Sequence, residues 1–144
     1  MRFICRNFGL SDLPRRGIAP HQAPLEVLLL DVEADLSVRE DGRTVWAEDA
    51  FPAAELAYQL GRWLRGADAD RGDFTFDSLQ AEPGTLRIAE AGEGRWRVGS
   101  GLAPAWWTAP VAWDVLTTEI GRLDRSVREG LAALGVGPDV LPAL

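Results

Sequence analysis

The spacing of apolar residues changes period several times along the chain. Residues 28–38 alternate, with Leu30, Val32, Ala34, Leu36 and Val38 on one side and Asp31, Glu33, Asp35, Ser37 and Arg39 on the other. This is the period-two signature of a strand with one buried face. Asp41-Gly42 then predicts a turn into a second strand, residues 43–48. Two registers are open for this hairpin. A two-residue loop pairs Val38 with Val45 and turns Trp46 toward the charged face. A three-residue loop with Gly42 left-handed pairs Leu36 with Trp46 and buries the indole, the arrangement expected for a tryptophan.

From Pro52 the period lengthens. Leu56, Leu60, Trp63 and Leu64 recur at helical spacing until Gly66, predicting a helix over 52–65 with Pro52 as its first residue. Phe74 and Phe76 alternate with Thr75 and Asp77 in a third strand, 73–79. Glu82-Pro83-Gly84 and Gly92-Glu93-Gly94 delimit a fourth at 85–90 and a fifth at 95–100. A loop bracketed by Pro104 and Pro110 carries Trp106-Trp107, and 111–113 is a short sixth strand. Asp114 is a candidate N-cap for a helix over 115–134, striped by Leu116, Ile120, Leu123, Val127, Leu131 and Leu134 and ended by Gly135.

These elements predict an α+β fold: a mainly antiparallel sheet of five to six strands, with two helices packed on one face and the other face partly wet. Pro14, Gly17, Pro20 and Pro24 make residues 1–24 an irregular surface arm with one short strand at 3–8. Residues 25–135 form a single domain and 136–144 a short tail.

A length of 144 residues suits one hydrophobic core, and 47% apolar with 26% charged residues is ordinary globular composition. All 15 basic residues are Arg, a bias attributed to a GC-rich genome rather than to anion binding. The net charge of −7 opposes a phosphate backbone, so nucleic acid is not an expected partner. The longest apolar run, Val27 to Leu30, is far too short to span a bilayer. The chain has a single cysteine, Cys5, too few for a disulfide or a cysteine metal site, and a cytoplasmic location is expected by elimination.

Catalytic chemistry is hard to assemble from these residues. His21 stands alone in the Pro-rich arm, whereas nucleophilic catalysis needs a base held against its nucleophile. Asp31, Glu33 and Asp35, with Glu48 or Asp49 nearby, lack the wrapping loop that a calcium site uses. Gly92-x-Gly94 lies between strands with no helix after it, and no phosphate-binding loop is present. Arg71-Gly72-Asp73 matches an adhesion tripeptide by letters alone. No catalytic, cofactor-binding or metal site is therefore expected. An enzyme would require Arg95, Arg97, Asp77 and Ser100 to converge in a cleft that periodicity does not reveal.

Arg6-Asn7-Phe8-Gly9, the run 31–36 (DVEADL), Asp41-Gly42-Arg43, Phe51-Pro52, Trp63-Leu64, the run 94–100 (GRWRVGS) and 131–135 together resemble an uncharacterised family of short actinobacterial proteins, a domain of unknown function. The resemblance spans nearly the whole chain and carries no catalytic role to transfer. The order of hairpin, helix, meander and terminal helix is also loosely similar to toxin-immunity proteins, which by itself fixes no function. The reading that follows is a non-enzymatic binding protein, regulatory or immunity-like. Its candidate partner-binding residues are Asp31, Glu33 and Asp35 on an acidic face and Trp106 and Trp107 in the loop. The partner would be another protein, such as a basic toxin or regulator, and an exposed strand edge leaves a homodimer open. The alternative is a small-molecule binder with a pocket between helix and sheet, lined by Trp63, Trp96 or Trp113.

Overall fold

The computed structural model describes residues 1–68 and 71–144. In chain order the described elements are β1 (Arg2–Leu10), a 3-10 turn (Pro20–Gln22), α1 (Leu25–Asp31), β2 (Val32–Glu40), β3 (Arg43–Phe51), α2 (Ala53–Leu64), β4 (Phe74–Thr75), β5 (Arg87–Glu90), β6 (Arg95–Ser100), β7 (Ala103–Trp107), β8 (Val111–Ala112), α3 (Trp113–Ala133) and a second 3-10 turn (Pro138–Val140). The fold is α+β and antiparallel, but among the described residues it has three α-helices and two sheets rather than two helices and one sheet. One sheet has the order β1-β2-β3. The other runs β4-β5-β6, with β7 and β8 sharing the far edge of β6. The division follows from β1, which takes the free side of β2 and leaves the later strands to pair among themselves.

The N-terminal segment is thus no loose arm. β1 pairs with β2 from Arg2↔Arg39 to Leu10↔Val32, and Leu13 beyond it is fully buried. The expected strand start at Leu28 is also corrected. Pro24 stands at the N-cap of α1, and Leu25–Asp31 completes two helical turns before the chain extends. Leu30 therefore leaves the predicted buried row and is exposed, whereas Val32, Ala34, Leu36 and Val38 keep it.

The β2–β3 hairpin takes neither register as predicted. Its loop is the two-residue one, with Asp41 at φ 50° and Gly42 at φ 77°. A bulge after Thr44 then shifts the ladder so that Trp46 pairs with Val38 and is buried. The bulge lets a tight loop and a buried indole coexist.

Later elements deviate locally. The third strand shortens to Phe74–Thr75, although Phe76 remains buried through bonds with Leu86 and Gly84. The Trp106-Trp107 loop is strand β7, with Pro104 tolerated because it lies on an edge. Thr108 replaces a ladder bond, its Oγ1 accepting the Val98 N–H at 3.0 Å. Helix α3 starts at Trp113, which puts Asp114 in the first turn rather than at the N-cap. At its other end Gly135 is left-handed at φ 84°, and Val136 N–H bonds Leu131 C=O at 2.9 Å.

One continuous core joins both sheets and the helices. Helix α3 packs on β1, α2 packs on β2, and the two helices touch. Helix α3 comes close to β1 at Gly130, where an added methyl would overlap the Phe8 ring. The tail is tied down rather than free: Arg128 donates to Leu141 C=O at 3.0 Å and Pro142 C=O at 2.6 Å, and Arg65 donates to Ala143 C=O at 2.8 Å.

Two carboxylates fix the N-terminal sheet. Asp31, only 6% exposed, accepts from Ser11 Oγ at 3.1 Å and from the N–H groups of Asp12 and Leu13 at 2.8 and 3.2 Å. Asp35 lies between two bulges, accepting from Asn7 Nδ2 at 2.7 Å on β1 and from Ala50 N–H at 3.2 Å on β3. Asn7 and Ala50 are both left-handed, at φ 57° and 51°, a conformation that costs an alanine strain. These bonds hold the Asp35 carboxyl below its ordinary value of 3.8.

Asp31→Ala leaves buried donors unpaired, so it is expected to cost about 2–4 kcal/mol in urea unfolding, whereas the Asp12→Ala control, at a partly exposed side chain, stays near wild type. Gly130→Ala is expected to destabilise by about 1–3 kcal/mol, and by less in a Phe8→Ala background, where the overlap is relieved. Because Asp35 has a lowered pKa, the stability it provides is complete above 3.8 and fades as pH falls through the lowered value. The difference between wild type and Asp35→Asn in pH-dependent unfolding is expected to shrink over that acid range.

Candidate functional site

The outer face of β1-β2-β3 places the predicted acidic residues in mixed company. Direct pairing sets Asp35 beside Arg6, Ser37 beside Ile4 and Arg39 beside Arg2. Glu33, Asp35 and Asp49 are thereby interspersed with three arginines, so the face is not the uniformly acidic surface expected. Asp31 is absent from it, being buried at the end of α1 with its carboxylate turned to the 11–13 turn. β1 had no assigned partner strand in the sequence pattern, which is why its arginines were not counted against that face.

The tryptophan pair divides. Trp107 lies over Gly99, where no larger residue fits, and the Arg97 guanidinium stacks 4.7 Å from its ring centre. Trp106 is 50% exposed and opens on a groove between the two sheets. This groove, about 460 Å³, has buried Trp46, Thr85 and Ser100 at its base. Leu102, 53% exposed, adds apolar surface beside Trp106, and Leu79 at 93% stands next to the lining residue Gln80.

Two carboxylates, Glu48 and Glu82, share the same groove. Glu48 sits on the buried side of β3, opposite Leu36, but at the sheet edge where it reaches solvent. Glu82 comes from the loop after the Ser78–Ala81 bridge. Neither has an ion-pair partner among the described residues. Partial desolvation, and then the charge of Glu82, raise the Glu48 pKa above its ordinary 4.5. Two like charges beside exposed aromatic and aliphatic surface are chemically complementary to a cation carried on an apolar stem. The Glu48–Glu82 pairing is invisible to periodicity, because it joins a residue of β3 to one in a loop distant in sequence.

The remaining candidates do not converge with it. His21 is exposed in the first 3-10 turn, and burial pushes the Cys5 thiol up to about 12, where it is not nucleophilic. Among the described residues no cluster of His, Cys, Asp and Glu could hold a metal ion. Arg71 is withdrawn from any adhesive role: its side chain is 8% exposed, stacks 4.4 Å over Trp113 and donates to Leu64 and Gly66 carbonyls at the end of α2. Trp63, Trp96 and Trp113 pack against one another with ring centres 5.3–5.6 Å apart. Only Trp63 of the three lines the nearby groove of about 590 Å³, together with Glu55, Tyr58, Gln59, Arg62 and Asp77. Arg95 donates to Pro110 C=O, Ser100 is buried and Asp77 lies in that other groove, so these residues do not share a cleft.

No helix among the described residues is long and apolar enough to cross a membrane. No curated protein and no solved structure matches the chain. A family profile does match residues 11–133, from the turn that Asp31 holds to the last turn of α3. The chain accordingly belongs to the family described as Domain of unknown function (DUF7878).

Proposed function

We propose that this chain is a non-enzymatic protein-binding module, regulatory or immunity-like, that receives a basic segment of another protein in the groove between its sheets. The observation that supports it is the half-exposed Trp106 and exposed Leu102 beside the uncompensated Glu48 and Glu82. An Arg or Lys side chain placed there sets its charge against the carboxylates and its methylenes on the indole. A basic toxin or regulator has that chemistry. Glu33 and Asp35, on the outer face, become secondary contacts at most, and Asp31 has no part in docking.

A partner captured from the native host and purified tests the reading by calorimetry. Trp106→Ala is expected to weaken the complex by about 2 kcal/mol, roughly 30-fold, and Glu48→Gln with Glu82→Gln to weaken it and flatten its salt dependence. If both sets of variants bind as wild type does, the groove is not the docking site.

The raised Glu48 pKa adds a pH signature. The folded chain binds this proton more readily than the unfolded chain, so ionisation of Glu48 opposes folding as pH rises through 4.5 toward the raised value. Glu48→Gln is expected to raise the denaturation midpoint at neutral pH and to leave it unchanged well below 4.5. Affinity for the basic partner should fall on acidification sooner than an ordinary glutamate would allow, and Glu82→Gln should move that fall to lower pH.

A second reading rests on the groove of about 590 Å³ between α1, α2 and β4, where Tyr58 and Trp63 adjoin Glu55, Arg62 and Asp77. Its size suits a small molecule. Stabilisation by a metabolite in a thermal-shift screen, abolished by Tyr58→Ala, would favour this reading over protein docking.

A further inference from the structure

On the opposite side of the hairpin, Glu119 occupies a position that the stripe of α3 would assign to an apolar residue. It lies between Leu116 and Ile120 on one side and Leu123 on the other, all buried, and its own side chain is 6% exposed. One carboxylate oxygen pairs with Arg122, a half-exposed residue one turn on. The other, Oε2, is buried and has no hydrogen-bond partner among the described residues. A carboxylate oxygen taken from water without a donor is among the costlier arrangements in a fold, so it points to a donor from outside the chain.

Glu119 lines a cavity of about 440 Å³ bounded by the start of β1 and the β2–β3 turn. The volume is in the range of small-molecule sites, about 300–1,000 Å³. Several charged groups on its wall are already engaged: Arg39 donates to Gly42 C=O at 2.9 Å, and Glu40 accepts the Ala109 N–H at 2.9 Å. Arg2 is not. It has no ion pair or side-chain hydrogen bond among the described residues. Ile4 adds an apolar surface to the same wall. The cavity thus joins a buried acceptor for an N–H cation, an uncommitted guanidinium for an anion, and a small apolar contact.

We propose that this cavity binds a small zwitterion of the α-amino-acid class, its ammonium donating to the Glu119 carboxylate and its own carboxylate received by Arg2. Arg2 offers the planar fork that a carboxylate accepts in two parallel bonds, which favours a ligand with both charges over a simple amine. The site is separate from the Trp106 groove, so either can fail without the other.

The test uses the full-length protein, with the free amino acids as probes in a thermal-shift screen and calorimetry on any that stabilise it. Each has two controls: its N-acetyl derivative, without the ammonium, and its methyl ester, without the carboxylate. The expected result is that at least one free amino acid binds while both of its derivatives bind about tenfold or more weakly. Glu119→Gln should abolish binding. Arg2→Gln, an exposed change that leaves the fold intact, should weaken the free amino acid about tenfold and its methyl ester not at all. If no free amino acid binds at millimolar concentration, or if Arg2→Gln binds the stabilising amino acid as wild type does, the proposal is overturned. Methyl ester binding equal to that of the parent overturns the zwitterion and leaves an amine as the ligand class.

Discussion

The N-terminal third of the molecule depends on where one buried negative charge is allowed to sit. Asp31 ends α1 beneath the turn that follows β1, and three donors of that turn converge on its carboxylate. A buried charge is tolerable only with such compensation, so the turn and the helix end must form together. That junction sends Leu13 into the core and sets the level at which β1 enters alongside β2. With β1 in place, β2 has a neighbour on each side and becomes the central strand of its sheet. The helices then cover the inner face, and the outer face carries alternating charges.

The parts of this arrangement that were legible in the sequence are those governed by local periodicity. The buried row Val32, Ala34, Leu36, Val38 and the stripe of α3 from Leu116 to Leu131 sit in the core as their spacing requires. What was not legible was decided by contacts distant in the chain. Residues 28–31 carry the same alternation whether extended or helical, and the Asp31 clamp to residues 11–13 settles the matter for a helix. Trp46 is buried through a bulge, a feature that shifts phase by one residue and leaves no mark on composition. The two sheets arose from a strand at the start of the chain that the sequence pattern showed as a short one at 3–8, without a partner, ahead of prolines that suggested an irregular arm.

The candidate groove shows the same limit from the functional side. Trp106 could be singled out because an adjacent tryptophan pair cannot bury both rings on one side of a strand, and the two do part, Trp107 against Gly99 and Trp106 toward solvent. Its acidic neighbours belong to a hairpin edge and a loop, Glu48 and Glu82, which only the packing of one sheet against the other brings together. The row Asp31, Glu33, Asp35 looked more eloquent, yet most of its meaning is architectural. One carboxylate closes a turn and another bridges two left-handed residues. Charge spaced regularly along a strand describes a face, but the neighbouring strand decides what that face presents.

The C-terminal tail has a further implication. Arg65 and Arg128 hold it through the carbonyl oxygens of residues 141–143, groups that every amino acid possesses. Such a clasp recognises the path of the main chain and is indifferent to most of the side chains along it. Apart from Leu141, which reaches the core, the clasp sets no requirement on which side chains the last residues carry, and its specificity resides in two arginines elsewhere in the chain.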